Sequence, residues 1–227
     1  MTNKKRITVL LAEDHQIVRE GFRSLLKHED DIEVVGEAET GRQAVKLTRK
    51  LRPSVVVMDI AMPLLNGLEA TRQIRKEIPD TKVLILSAHS DDAYVEQVAV
   101  LGASGFLLKQ TSSHILATAI REVQKGHTFF SPTVSRRVQN RSQNAAARGA
   151  SKTNGNHLSS REVEVLQLIA EGKANKQIAA ELGVSFKTVD KHRQHLMSKL
   201  DIHDTAGLTR YAIAEGIIES SVRVTIH

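Results

Sequence analysis

Two stretches of the chain, Val55-Val56-Val57-Met58 and Val83-Leu84-Ile85-Leu86, are apolar at every position. A strand with one face in water alternates apolar and polar residues. An unbroken run suits a strand covered on both faces, as in a parallel sheet flanked by helices. With their flanks these runs read as strands over 54–59 and 82–87, and Ile7–Ala12 and Gly105–Leu108 as two more. A weaker strand is expected over 33–36. Between them the apolar residues recur at helical spacing, as in Ile17, Phe22, Leu25 and Leu26, then Leu68, Thr71, Ile74 and Ile78. Five parallel strands alternating with five helices over residues 1–130 predict an α/β domain with right-handed crossovers.

The chain has 227 residues, so a second domain is expected. Residues 131–156 turn Arg-, Asn-, Ala- and Ser-rich and carry Arg136, Arg137, Arg141, Arg148 and Lys152 with no acid, which reads as a basic, flexible linker. Within it, 133–140 reads as a helical extension. From 157 to 227 the pattern is helical. Ser159 with Glu162 three residues on forms a capping box, and Val163, Leu166, Ile169 and Ala170 supply a buried face. Gly172 ends that helix, Asn175 caps a second over 176–182, Gly183 ends it, and Ser185 caps a third over about 185–200. A fourth begins at Asp204.

The chain contains no cysteine, which excludes disulfides, thiolate catalysis and Cys-based zinc sites. No apolar run approaches the roughly 20 residues that span a bilayer. The stretch Ile7–Ala12 is too short for a signal peptide and runs into Glu13 and Asp14. A cytoplasmic protein with no membrane contact is expected. The net charge of +6 is uneven: 18 basic against 17 acidic residues over 1–130, and 14 against 9 beyond. The linker accounts for the excess, so pI alone says little about nucleic acid. Between Lys173 and Lys199, however, six basic residues face two acidic ones.

In an open α/β sheet ligands bind outside the carboxyl ends of the strands. At those ends stand Glu13 and Asp14, then Asp59, Ser87 and Lys109. Carboxylates gathered there repel by about 4 kcal/mol per pair at ~4 Å and an effective dielectric of ~20, and they call for a cation. An all-oxygen donor set suits Mg²⁺, which keeps waters and bridges to phosphoryl oxygens. A carboxylate can itself act as nucleophile to give an aspartyl phosphate, with the ammonium neutralising charge in transfer. Each residue also has a plainer reading: Glu13-Asp14 as a helix N-cap pair, Asp59 as a loop carboxylate, Ser87 as a polar strand end, Lys109 as a surface lysine. The convergence of complementary chemistry favours the site.

Residues 7–125 resemble the receiver domain of two-component response regulators. The likeness is carried by Leu11-Ala12-Glu13-Asp14-His15, Met58-Asp59-Ile60-Ala61-Met62-Pro63 with Asn66-Gly67, Leu86-Ser87-Ala88, and Gly102-Ala103-Ser104-Gly105-Phe106-Leu107-Leu108-Lys109. The resemblance implies a flavodoxin-like sheet in which Asp59 accepts phosphate from a sensor histidine kinase. Asp14 would bind Mg²⁺ directly with Glu13 assisting, and Ala61 would offer its main-chain carbonyl. Ser87 and Lys109 would engage the phosphoryl group, and the Phe106 rotamer would follow Ser87. Many receivers place a cis proline after the lysine. Here the residue is Gln110, and a non-proline cis bond costs about 2.5–4 kcal/mol, so a trans bond is expected.

Asn175 through Val189 reads as helix, glycine turn, helix. Ile178, Leu182, Val184, Val189, His192 and Leu196 are spaced to pack the two helices together. Lys187, Lys191, Gln194 and Ser198 form one polar stripe on the second, flanked by Thr188, His195 and Lys199. Such a stripe suits a helix in a DNA major groove, with lysines to phosphates and Gln194 to an adenine edge. Residues 157–219 resemble the four-helix LuxR/GerE-type DNA-binding domain. That resemblance implies base contacts around Asp190, Lys191 and Gln194, phosphate contacts near Lys176, Lys187 and Thr188, and pairing of two copies through the last helix. Asp190 would accept from a cytosine or pair with a neighbouring lysine. Receiver plus this domain is the NarL/FixJ architecture. The chain is thus expected to be a phosphorylation-controlled transcriptional regulator, homodimeric on double-stranded DNA when phosphorylated, and not an enzyme. A phosphatase would need an acid at Ala61, and a nucleotide-binding loop needs a spacing that Gly102-Ala103-Ser104-Gly105 lacks. The remaining rivals are a constitutive DNA binder and a protein-binding adaptor.

Overall fold

A computed structural model describes residues 6–88, 98, 101–110, 113–130 and 158–218. The chain divides into two compact units, Met1–Thr153 and Asn154–His227. The expected linker, its helical extension and the tail beyond 218 lie outside the described residues, as does most of the segment expected to form a helix between the fourth and fifth strands.

The first unit holds strands β1 (Ile7–Ala12), β2 (Ile32–Ala38), β3 (Val55–Asp59), β4 (Lys82–Ser87), β5 (Gly105–Leu108) and β6 (Phe129–Phe130). Its described helices are α1 (Gln16–Lys27), α2 (Gly41–Leu51), α3 (Gly67–Glu77) and α4 (Ser113–Gln124). The strands form one sheet in the order β2-β1-β3-β4-β5-β6, every pair parallel. The expectation of a parallel α/β sheet is met, with one addition. After α4 the chain returns to pair Phe129 and Phe130 with Gly105 and Phe106, making a sixth strand. Two residues are too short for a periodic signal. The Gly105 position is crowded, since a Cβ there would lie 2.5 Å from the Phe129 carbonyl oxygen.

The unbroken runs behave as their composition requires: all of β3 is buried, and two apolar clusters lie on opposite faces of the sheet. β2 is longer than the sequence suggested because it is an edge strand, half-exposed, with Glu33 and Glu37 breaking its apolar pattern. α1 corrects the sequence reading of its buried face. Ile17 is 86% exposed and Leu25 40%, whereas Arg19 is only 6% exposed and Leu26 1%. An arginine takes the inward position because acceptors at the ends of β1 and β2 satisfy its guanidinium.

The second unit has four described helices: α5 (Ser160–Ala170), α6 (Asn175–Leu182), α7 (Phe186–Leu200) and α8 (Thr205–Ala214). The Ser159–Glu162 capping box forms in full. Ser185 caps α7 and Asp204 caps α8 through side-chain oxygens that accept main-chain N–H groups. Asn175 is not the cap expected of it but the first residue of α6. The Gln177 Oε1 accepts from the Ala174 N–H in its place, at 2.9 Å. Gly183 ends α6 at φ 63°, a left-handed turn open to glycine without strain. α7 packs on α5 and α6, and α8 on α5. Ile178, Val189 and Leu196 are fully buried between them, as their spacing predicted, with Leu182, Val184 and His192 half-buried.

Candidate functional site

Sheet register builds the site. Ala12 pairs with Met58, so the next residues, Glu13 and Asp59, emerge side by side from neighbouring strands. Asp59 pairs with Leu86 and Ser87 with Leu108, which brings Ser87 and Lys109 to the same end of the sheet. The Lys109 N–H donates to the Ser87 carbonyl at 2.8 Å, carrying the ladder one step past β5. The Lys109–Gln110 bond is trans, as expected for a non-proline residue. Adjacent parallel strands lie about 4.8 Å apart, so four strand ends are enough to gather these groups.

The Lys109 ammonium bridges two carboxylates, 2.7 Å from Glu13 Oε2 and 3.0 Å from Asp59 Oδ1. Glu13, Asp59 and Ser87 are each 2% exposed. Asp14 is more open, with its Oδ1 2.9 Å from His15 Nδ1. Glu13 and Asp14 do not cap α1, since the cap position is His15 and no side chain caps it. Burial raises the Asp59 pKa to about 6. The charge of Glu13 adds to the rise, and Lys109 offsets only part of it. Burial opposes the Lys109 charge, but Asp59 and Glu13 outweigh it and hold that ammonium above the ordinary lysine value.

The loop after β3 is tightly set. Asn66 caps α3 through Oδ1, which accepts the Glu69 N–H at 2.8 Å. The Gly67 N–H donates to the Ile60 carbonyl at 2.8 Å, and a Cβ on Gly67 would lie 1.8 Å from the Asp59 carbonyl oxygen. Only glycine lets α3 begin so close to the acid. Ala61 lies in this loop, half-buried. Phe106 is wholly buried among core residues beneath the pocket.

The donor set fits a hard cation. The Asp59 Oδ2 is buried and has no hydrogen-bond partner among the described residues, while Asp14 and Glu13 supply further oxygens beside it. His15 stands within ligand distance of Glu13 and Asp14 but offers nitrogen and is 69% exposed, so it belongs to the rim of this oxygen site.

In the second unit α7 exposes Lys187, Lys191, Gln194, His195 and Ser198, and α6 exposes Lys176. The Thr188 N–H donates to the Ser185 Oγ at 3.1 Å, and the two hydroxyls are 2.8 Å apart. Asp190 accepts from Gln194 Nε2 at 3.0 Å, so two of the three expected base-reading residues are coupled one turn apart. Lys199 is placed differently from the stripe, with its ammonium 3.0 Å from Glu162 Oε2. Sequence reasoning did not single out Arg193, whose guanidinium donates to Asn175 Oδ1 at 3.3 Å and Thr205 Oγ1 at 2.6 Å and so ties α7 to α6 and α8. It also passed over Arg19, whose one sequence signal is its place at i, i+3, i+7 with Phe22 and Leu26.

Residues 9–121 match the response regulator receiver domain, and residues 156–212 match the bacterial regulatory proteins of the luxR family. The oxygen regulatory protein NreC of Staphylococcus carnosus is 38% identical over 93% of this chain and 99% of its own length. The transcriptional regulatory protein LiaR of Bacillus subtilis is 40% identical over 91% of this chain and 96% of its own. A solved structure of two RcsB dimers bound to two parallel DNAs superposes with a TM-score of 0.55 at 29% identity, over 91% of this chain and 98% of that one. Among the described residues no helix is long and apolar enough to cross a membrane. The chain belongs to the NarL/FixJ-type response regulators of two-component systems, DNA-binding transcriptional regulators that join a receiver to a LuxR-type helix-turn-helix domain.

Proposed function

We propose that Asp59 is the phosphoacceptor and that its modification, by a sensor histidine kinase, controls DNA binding by the helical unit. The observation that carries the proposal is the Asp59 carboxylate itself: buried, bridged to Glu13 by one ammonium, and left with an Oδ2 that has no partner among the described residues. Asp59 oxygen bonds to phosphorus as the phosphorus–nitrogen bond of the kinase phosphohistidine breaks, and the electron pair leaves with the imidazole nitrogen. Glu13, Asp14, Asp59 and the Ala61 carbonyl would hold Mg²⁺, and that ion would supply charge neutralisation to the transferring phosphoryl oxygens. Lys109 moves its bridge from Glu13 and Asp59 to a phosphoryl oxygen, and the Ser87 hydroxyl donates to another. Phe106, packed beneath β5, repacks with Ser87 and carries the change outward.

In the second unit Lys176, Lys187 and Thr188 contact phosphates, and Asp190, Lys191 and Gln194 face base edges. Lys199 adds to the positive field from its place beside Glu162. RcsB binds DNA as dimers in a related structure, which supports a homodimer here. The last helix, α8, joins the two copies when Asp59 carries phosphate. Residues 1–130 form the receiver, 131–156 a basic linker and 157–227 the DNA-binding domain with its tail, and the protein works in the cytoplasm. Acetyl phosphate with Mg²⁺ tests the acceptor. The wild type should gain one phosphoryl group that peptide mass spectrometry finds on Asp59, and Asp59→Asn should gain none. Labelling of the variant at the wild-type rate would remove Asp59 from this role.

A further inference from the structure

Arg19 lies in the first turns of α1 and is among the few charged side chains that are buried, at 6% exposed. Its guanidinium makes three charge-assisted hydrogen bonds in different directions. Nε donates to Glu37 Oε2 at 3.1 Å, Nη2 to Glu39 Oε1 at 2.8 Å, and Nη1 to the main-chain carbonyl of Glu13 at 2.7 Å. The Glu13 N–H in turn donates to the Ala38 carbonyl of β2 at 3.0 Å. The residue is therefore held on both sides, by the sheet edge at its nitrogen and by Arg19 at its oxygen.

We propose that Arg19 is the positioning residue of the acid pocket: its grip on the Glu13 carbonyl sets the stance of the Glu13-Asp14 turn toward a bound Mg²⁺. The inference rests on the phosphoacceptor reading above. Mutual repulsion among Glu13, Asp14 and Asp59 drives the turn after β1 away from β3. Lys109 opposes this only from the β5 side, through Glu13 and Asp59. Arg19 opposes it mechanically from the α1 side. Its own charge is spent on Glu37 and Glu39, so its effect on the pocket is geometric rather than through its field. Only a planar fork of five N–H groups reaches three acceptors so placed. An ammonium on a flexible stem satisfies the carboxylates and releases the carbonyl.

The test uses the full chain and Mg²⁺ alone, titrated by calorimetry, beside a Mg²⁺ series of acetyl phosphate labelling. Arg19→Lys should keep a urea midpoint near the wild type and weaken Mg²⁺ binding about tenfold, the scale of lost support behind a metal ligand. The Mg²⁺ concentration for half-maximal labelling should rise by the same factor, with the rate at saturating Mg²⁺ returning toward the wild type. A purely structural ion pair would lower the urea midpoint and leave Mg²⁺ affinity alone. Glu39→Gln, at a 62% exposed side chain, loosens the same fork without a buried change and should raise the Mg²⁺ dissociation constant by a smaller factor. Unchanged Mg²⁺ affinity in folded Arg19→Lys, or in Glu39→Gln if the first variant does not fold, overturns the inference. If the wild type itself neither binds Mg²⁺ nor labels at Asp59, the phosphoacceptor reading falls instead.

Discussion

Replacing Asp59 by asparagine should make the receiver more stable at neutral pH. The Asp59 pKa stands at about 6 in the folded protein against an ordinary value of 3.8. The folded state thus binds this proton more tightly than the unfolded state, and ionising the buried carboxylate costs stability. The favourable contribution is complete below pH 4 and lost as pH rises through 6. A difference of about 2 units corresponds to about 3 kcal/mol, borne in full at pH 7.5. Asparagine cannot ionise, and Lys109 keeps its bond to Glu13. Asp59→Asn should therefore exceed the wild type by about 3 kcal/mol at pH 7.5, by about half of that near pH 5, and by only about 0.5 kcal/mol at pH 4. The assay is a urea series in which exchange of β3 and β4 amides is read by mass spectrometry, so that receiver unfolding is scored apart from the helical unit. Added Mg²⁺ should narrow the gap, because it binds the folded wild type and stabilises it. A variant no more stable than the wild type at pH 7.5, or a gain that ignores pH, would refute the claim that charge burial dominates here.

Three further outcomes follow from named contacts. Gly67→Ala should destabilise the receiver by about 1–3 kcal/mol in the same urea assay and slow Asp59 labelling, because its Cβ falls 1.8 Å from the Asp59 carbonyl oxygen. Wild-type values for both would show that α3 can shift freely. Lys187→Ala should weaken binding to a DNA fragment carrying the site and reduce the slope of log K against log salt by about 0.9, measured by fluorescence anisotropy, since it removes one phosphate neutralisation. Lys199→Ala should instead lower the unfolding midpoint of the helical unit by the equivalent of about 0.5–1 kcal/mol, through its lost bond to Glu162, and lower that slope by only a small fraction of about 0.9, because Glu162 offsets most of its charge. A full unit of lost slope would place Lys199 on the DNA.

The parts of the fold written in long, uniform signals were readable without coordinates. Unbroken apolar runs can be stable only where both faces are covered, so β3 and β4 were legible, and with them the strand ends that carry Asp59 and Ser87. Caps are also local, since Ser159, Ser185 and Asp204 each act on a main-chain N–H three residues on. Short or half-exposed elements were less legible. β6 has two residues, and edge strand β2 mixes apolar and acidic side chains. Asn175 looked like a cap because caps are chosen among residues of its type. Its oxygen instead meets Arg193, from 18 positions away.

By itself the sequence determined which chemistry is available: acids, a hydroxyl and a lysine at strand ends, a polar stripe on one helix, and glycine where α3 must begin. Tertiary structure alone decided how those groups are used. Register set Glu13 beside Asp59 and drew Lys109 between them, and burial then raised the Asp59 pKa. Folding also turned Arg19 inward while Ile17 faces water, and it committed Lys199 to Glu162. The physical reason is range. Propensity, capping and periodicity act over a few residues of chain, whereas desolvation and ion pairing depend on which atoms become neighbours once the sheet has closed.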